Sequence, residues 1–209
     1  MQETTNALSR PTSAPRHHAR RVNGFTAIEL MVVVGILAIL TALAAPSFVP
    51  VIERWRVRQA SESLQSTLFM ARSEAIKRGG NVGIQKKPQG TAGCTYAATE
   101  ADWDCGWYVF VDTDKNGSMD ADTTKEPRLQ DVPPSKDVQI SVTPSGQSIR
   151  FDRYGMMQDS SGSNATVVYS FLVYPSSVGV GSQNAIAVCF TPGGRLKTVK
   201  YHSGPPQCS

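Results

Sequence analysis

Arg20-Arg21-Val22-Asn23-Gly24-Phe25-Thr26-Ala27-Ile28-Glu29-Leu30 leads into the run M-V-V-V-G-I-L-A-I-L-T-A-L-A-A, which closes at Ala45, and this stretch decides how the rest of the chain is read. A basic leader meets an unbroken apolar segment with one acid at its mouth. A carboxylate facing hydrocarbon costs about 2.5 to 3.5 kcal/mol on insertion scales, so a lone acid there implies a role and a partner. The partner that the sequence offers Glu29 is an α-amine made by cutting the chain before Phe25.

The 21 residues from Phe25 to Ala45, as a helix rising about 1.5 Å per residue, would cover about 30 Å, the thickness of bilayer hydrocarbon. Pro46 and Pro50 would kink or loosen that helix rather than end it, because helical signals resume at once. Val51, Trp55, Leu64, Leu68, Ala71 and Ala75 recur at spacings of three, four or multiples of these, with Arg54, Arg56, Arg58, Glu62 and Arg72 mostly off the stripe. The pattern predicts an amphipathic helix laid on a core. Lys77 and Arg78 suit its C-terminal dipole, and Gly79-Gly80 stop it near residue 78.

Beyond Gly80 the period changes from helical to alternating. Strands are predicted at 81–85, 107–112, 138–142, 148–151, 166–174, 185–190 and 195–201, separated by Pro, Gly, Ser and Asn clusters. The expected chain is α+β: a leader at 1–24, a transmembrane and assembly segment at 25–50, and a globular head at 51–209. That head includes the second half of a long helix, packed on an antiparallel sheet.

The formal charge of +4 comes from 21 Lys+Arg against 17 Asp+Glu, but the leader holds four Arg and only Glu3, so residues 25–209 carry just +1. Distribution says more than the total. Residues 53–87 hold eight basic and three acidic side chains, 100–137 hold four basic and ten acidic, and no acid follows Asp159. Arg195, Lys197 and Lys200 therefore stand in a tail with no opposing charge.

Four cysteines in a chain that its leader sends across a membrane suggest disulfides, and four allow three pairings. Cys94 with Cys105 and Cys189 with Cys208 is the favoured arrangement, since each joins sequence neighbours across a loop too rich in Gly, Pro and polar residues to hold itself. Zinc is the alternative, and the chain has no C-x-x-C to support it.

The residues around Gly24-Phe25 and Glu29 resemble the class III signal of type IV pilins and type II secretion pseudopilins. The resemblance implies the type IV pilin fold and cleavage between Gly24 and Phe25 by a prepilin peptidase. It further implies N-methylation of Phe25 and pairing of Glu29 with a mature N-terminus during assembly. It places the chain in the inner membrane with a periplasmic head, then among other pilins in a pilus or pseudopilus, at its tip if it is a minor subunit. An ordinary secretory signal peptide cut near Ala42-Leu43-Ala44 is the rival, and Glu29 argues against it.

W-D-C-G-W-Y-V-F-V-D, from Trp103 to Asp112, resembles the FimT/GspH family of minor pilins and pseudopilins, as do Phe151-Asp152-Arg153-Tyr154-Gly155 and the segment from Cys189 to Arg195. FimT-like members of naturally transformable bacteria bind DNA through a C-terminal G-R-x-R. Gly194-Arg195-Leu196-Lys197 keeps the Gly and the first Arg and has Lys for the second. Lys supplies a point charge instead of a bidentate fork, so phosphate attraction survives with less geometric definition. The resemblance thus implies double-stranded DNA binding at Gly194, Arg195, Lys197 and Lys200. Alternation puts Arg195 and Lys197 on one face, and Lys200 joins them only if the strand bends. On the competing reading these are solvated charges that protect an edge hairpin from aggregation. The leading function is a FimT-like minor pilin contributing to pilus assembly and DNA uptake. The alternative is a GspH-like pseudopilin with a purely structural role.

Asp112-Thr113-Asp114-Lys115-Asn116-Gly117 places oxygen ligands at alternate positions with Gly sixth, like the first half of an EF-hand loop. Position twelve is Thr123 where a bidentate Glu is needed, and the preceding W-Y-V-F-V reads as a strand. Asp112, Asp114 and Asn116 are therefore a candidate calcium set, with an acidic hairpin turn as the simpler reading. Nothing catalytic assembles. The histidines are His17, His18 and His202, so no Ser/His/Asp or Cys/His set forms after the leader is removed. Asp102 and Asp104 sit in what reads as an open turn with nothing to raise a pKa. A non-enzyme without an organic cofactor is expected.

Overall fold

The computed structural model describes residues 24–44, 48–159, 163, 165, 167–201, 203, 204 and 208, in two compact units, one within residues 1–45 and one within 46–209. The leader before Gly24, the predicted hinge residue Pro46 and His202 lie outside the described residues.

The first unit holds α1 (Ala27–Ala44). Thr26 starts it: its Oγ1 accepts the Glu29 N–H at 3.3 Å, and its carbonyl accepts the Leu30 N–H at 3.2 Å. T-x-x-E is the spacing of a capping box, so Glu29 also sits where an acid complements the helix dipole. Phe25, Ile28, Leu30, Met31, Ile36, Leu37, Ile39 and Leu40 are all exposed. Among the described residues the helical segments here are α1 and a second helix beginning at Val49, and none of the described helices is long and apolar enough to cross a membrane. The 18 residues of α1 measure about 27 Å, against about 30 Å of hydrocarbon.

The second unit is built on α2 (Val49–Arg78), with Pro50 in its first turn, where the missing N–H costs nothing. Gly79 ends it as predicted, in the left-handed region at φ +81°. Val57, Ala60, Leu64, Leu68, Ala71 and Ala75 form the buried stripe. The predicted stripe starts too early: Val51 and Trp55 are exposed at 61% and 63%, and burial begins only at Val57.

Among the described residues, nine strands form two antiparallel sheets. The first has the order β3-β2-β1-β5-β6, from β1 (Val82–Lys86), β2 (Trp107–Val111), β3 (Arg128–Val132), β5 (Ser148–Phe151) and β6 (Met157–Gln158). The second runs β4-β7-β8-β9, from β4 (Val138–Thr143), β7 (Tyr169–Pro175), β8 (Ile186–Phe190) and β9 (Leu196–Lys200). All seven predicted strands occur; β3 and the two-residue β6 have no predicted counterpart. β3 carries Arg128 and Asp131 on an edge and has no buried alternation to announce it.

The core lies between α2 and both sheets, around Leu64, Leu68, Ile84, Trp103, Trp107, Ile149, Phe151, Phe171 and Phe190. Trp103 meets Phe171 edge to face at 5.4 Å, a favoured aromatic geometry. The indole of Trp107 donates to Thr67 Oγ1 at 3.1 Å, which ties β2 to α2 inside the apolar layer.

Candidate functional site

The hairpin between β8 and β9 carries the predicted basic motif. Its register runs without a shift from Phe190 opposite Leu196 to Ile186 opposite Lys200. The turn is closed by the Thr191 N–H on the Arg195 carbonyl at 2.9 Å and by the Arg195 N–H on Thr191 Oγ1 at 3.0 Å.

Gly194 has a structural duty in this turn. It sits at φ +84°, and a Cβ there would stand 2.2 Å from Arg72 Cζ. Arg72 reaches over from α2, donating from Nη1 to the Gly194 carbonyl at 3.0 Å and from Nη2 to the Gly193 carbonyl at 3.3 Å. A second turn meets the same side chain, since a Cβ on Gly155 would lie 2.8 Å from Arg72 Nε. The Met157 N–H also donates to the Pro192 carbonyl at 3.1 Å. The turns 152–156 and 191–195 therefore converge on Arg72, bringing Arg153 and Tyr154 to the end of the head that bears Arg195. Arg153 stacks over the Tyr154 ring at 5.0 Å, and that ring is exposed. In the sequence this stretch serves only as a family mark. The signal that could have singled it out is Arg-Tyr-Gly, a cation and an aromatic before a turn glycine.

The four basic-motif residues do not form one face. Arg195 and Lys197 are exposed, Arg195 in the turn and Lys197 opposite Cys189. Lys200 does not join them by a bend, because β9 is regular to its end. Leu196 packs on the core, while Thr198 and Lys200 line an open groove of about 460 Å³ with Arg54, Arg58, Glu62 and Asn184. Strand alternation thus sends Lys200 to the α2 side and Lys197 to the other.

The acidic loop after β2 is better organised than its sequence suggests. Asp112 is fully buried and pairs with Arg150 of β5, whose Nη1 donates to Asp112 Oδ2 at 3.0 Å; the Gly117 N–H adds a bond at 3.1 Å. Glu126 is also buried and accepts the N–H groups of Thr113 at 2.9 Å and Asp120 at 2.7 Å. Asp114 is bound by Asn116, while Asn116 Oδ1 accepts the Ser118 N–H at 2.6 Å.

Both predicted disulfides form, Cys94–Cys105 with Cα atoms 5.4 Å apart and Cys189–Cys208 with 5.5 Å. The first borders a buried acid. Asp104 does not lie in an open turn: residues 101–103 run beside β4, and the Asp104 carboxylate accepts the Ile140 N–H. Burial pushes its pKa up to about 6 against the pull of that hydrogen bond. Lys86, which donates to the carbonyls of Ala97 and Thr99, is held below its usual range by burial.

An N-terminal apolar helix with an acid in its first turn, and a second helix backed by antiparallel sheets, define the type IV pilin fold. A crystal structure of the type IV minor pilin FimU of Pseudomonas aeruginosa strain PAO1 superposes at a TM-score of 0.50 with 16% identity, covering 75% of this chain and 97% of FimU. The chain belongs to the GspH family, whose model, described as Type II transport protein GspH, matches residues 60–195. The Pilin-like protein PilA1 of Thermus thermophilus is 35% identical over 97 residues, 46% of this chain. The chain spans about half the length of that relative, 53%.

Proposed function

We propose that this protein is a FimT-like minor pilin of a type IV pilus, cut between Gly24 and Phe25, N-methylated on Phe25, and held in the inner membrane by its apolar stem until it enters a filament. The observation that carries this reading is α1 itself, apolar around its circumference, exposed along its described length, and bearing one carboxylate at its start. Such a surface calls for lipid or neighbouring helices of the same kind, and Glu29 calls for a positive charge at the matching depth. Other pilins supply both, with the Phe25 amine as the partner. A prepilin peptidase makes that amine. At the far end of the chain, Arg195 and Lys197 attract DNA phosphates, with Gly194 holding the turn and Tyr154 offering an aromatic face.

The description of the matched family, a type II transport protein, favours a second reading. The chain would then be a pseudopilin of a secretion machine, with the same stem and no nucleic-acid role. Intact mass and N-terminal sequencing of protein from its host test the shared part, with a mature chain starting at methylated Phe25 expected. A chain starting near Ala45 would mean that a secretory peptidase made the cut. Glu29→Ala should be processed yet fail to enter filaments, and normal entry would remove the amine-pairing account.

A further inference from the structure

We propose that the loop between β2 and β3 is a calcium site built from Asp112, Asp114 and Glu126. The pattern D-x-D-x-N-G supplies ligands at positions one and three, and what it lacks is the carboxylate at twelve. The fold provides one from Glu126, three residues beyond Thr123. One carboxylate oxygen from each of Asp112, Asp114 and Glu126 lies within 4.8 Å of the other two. Oxygens bound to one calcium at about 2.3 to 2.6 Å can be separated by no more than about twice that distance.

A second observation is independent of the clustering. Asp112 is fully buried, and while its Oδ2 accepts from Arg150 and Gly117, its Oδ1 has no hydrogen-bond partner among the described residues. A carboxylate oxygen is not left buried and unpaired without cost, and a cation is the partner it lacks. The charges agree. Three carboxylates against the Arg150 guanidinium leave two negative charges, which suits a divalent ion.

The ligand chemistry selects among such ions. All three groups are hard oxygens, with no thiolate or imidazole in the cluster, which disfavours zinc and copper. Calcium fits better than magnesium, because the ligands come from an irregular loop and magnesium demands a near-ideal octahedron and gives up its waters reluctantly. Glu126 is already oriented by the N–H groups of Thr113 and Asp120, and each of its oxygens keeps a lone pair for the metal. The ion would hold the two ends of the β2–β3 connection together across Arg150 of β5.

The test uses the full chain in detergent micelles, stripped with EDTA and titrated with calcium chloride by calorimetry, with magnesium chloride as comparator. One calcium per chain is expected, with a Kd of about 10⁻⁴ to 10⁻³ M and magnesium at least about tenfold weaker. The unfolding temperature should rise by several degrees at about 10 mM calcium. Asp114→Asn keeps an oxygen for Asn116 at an exposed position, so it should fold like the parent in EDTA and bind calcium at least about tenfold more weakly. Absence of both heat and a thermal shift in the parent at about 10 mM calcium would overturn the site, as would parental affinity in Asp114→Asn. Equal affinity for the two ions would overturn the assignment to calcium.

Discussion

Arg72 of α2 donates from Nη1 to the Gly194 carbonyl at 3.0 Å, a single bond joining residues 122 apart in sequence. It explains why the basic motif opens on a glycine: Arg72 occupies the place that a Cβ would need.

Gly194→Ala should therefore destabilise the head by about 1 to 3 kcal/mol, through a left-handed φ and the displacement of Arg72. Arg72→Ala should cost about as much, by stranding two turn carbonyls. The two should not add. With the guanidinium gone, alanine at 194 retains only its backbone strain, so the double variant should be more stable than the sum of the single effects implies. Chemical unfolding of the four proteins gives the coupling, and strict additivity would show that Arg72 does not hold this turn.

Much of this architecture is legible in the sequence because period and punctuation agree. Gly79-Gly80 end α2 where the apolar stripe stops, and each strand with alternating buried residues is visible. β3 is not, because an edge strand carrying Arg128 and Asp131 gains its place by pairing with β2, a contact that no local pattern records. The basic motif is legible as residues but not as a surface. Three cations in six residues look like one patch until strand alternation divides them between two faces. Asp104 misleads for a related reason: Asp, Cys and Gly are turn residues by composition, and its burial follows from residues 101–103 pairing with β4, a non-local event.

That burial has a pH signature. The folded-state pKa of about 6 lies above the ordinary 3.8, so between these values the folded protein holds the proton more tightly than the unfolded chain does. The group then favours folding most below about pH 4 and loses that contribution as pH rises through about 6. Asp102 reinforces the upward shift, while Lys86 and the bond from Ile140 oppose it. Asp104→Asn keeps an acceptor for the Ile140 N–H without the buried charge. It should stabilise the protein by about 1 to 3 kcal/mol at pH 7.5 and by much less at pH 4. Denaturant unfolding at the two pH values decides this, and a variant weaker than the parent at pH 7.5 would show that the charge is well solvated or well paired.

The disulfides should contribute unequally to function though similarly to stability. Each closes a short loop, separated by 11 residues for Cys94–Cys105 and 19 for Cys189–Cys208, and such closures contribute about 2 to 4 kcal/mol. Cys189 stands opposite Lys197, so losing its bridge to Cys208 frees the tail beside the basic hairpin. The Cys189→Ala, Cys208→Ala double variant should weaken any anion binding there. Removing Cys94 and Cys105 should lower stability alone. Non-reducing peptide mapping checks the pairing first, and a Cys94 to Cys189 link would undo both statements.

DNA binding separates the two readings of function. If Arg195 and Lys197 neutralise two phosphates of a duplex, log K should fall with log salt at a slope near −1.8, about −0.9 per contact, with little sequence preference. Arg195→Ala should weaken binding on every sequence and flatten that slope by about one unit. Lys200→Ala should change little, because Lys200 lines the groove with Arg54 and Arg58 on the α2 side of the sheet. Tyr154→Ala should weaken binding to single strands more than to duplex, since an exposed aromatic ring stacks on unpaired bases. Gel-shift and salt titrations on the parent and these variants test all of this together. An equal loss in Lys200→Ala would restore a single three-cation patch and imply that the duplex grips the edge strand from both faces. No retardation of the parent at low salt would leave the stem as the working part of the molecule and favour the pseudopilin.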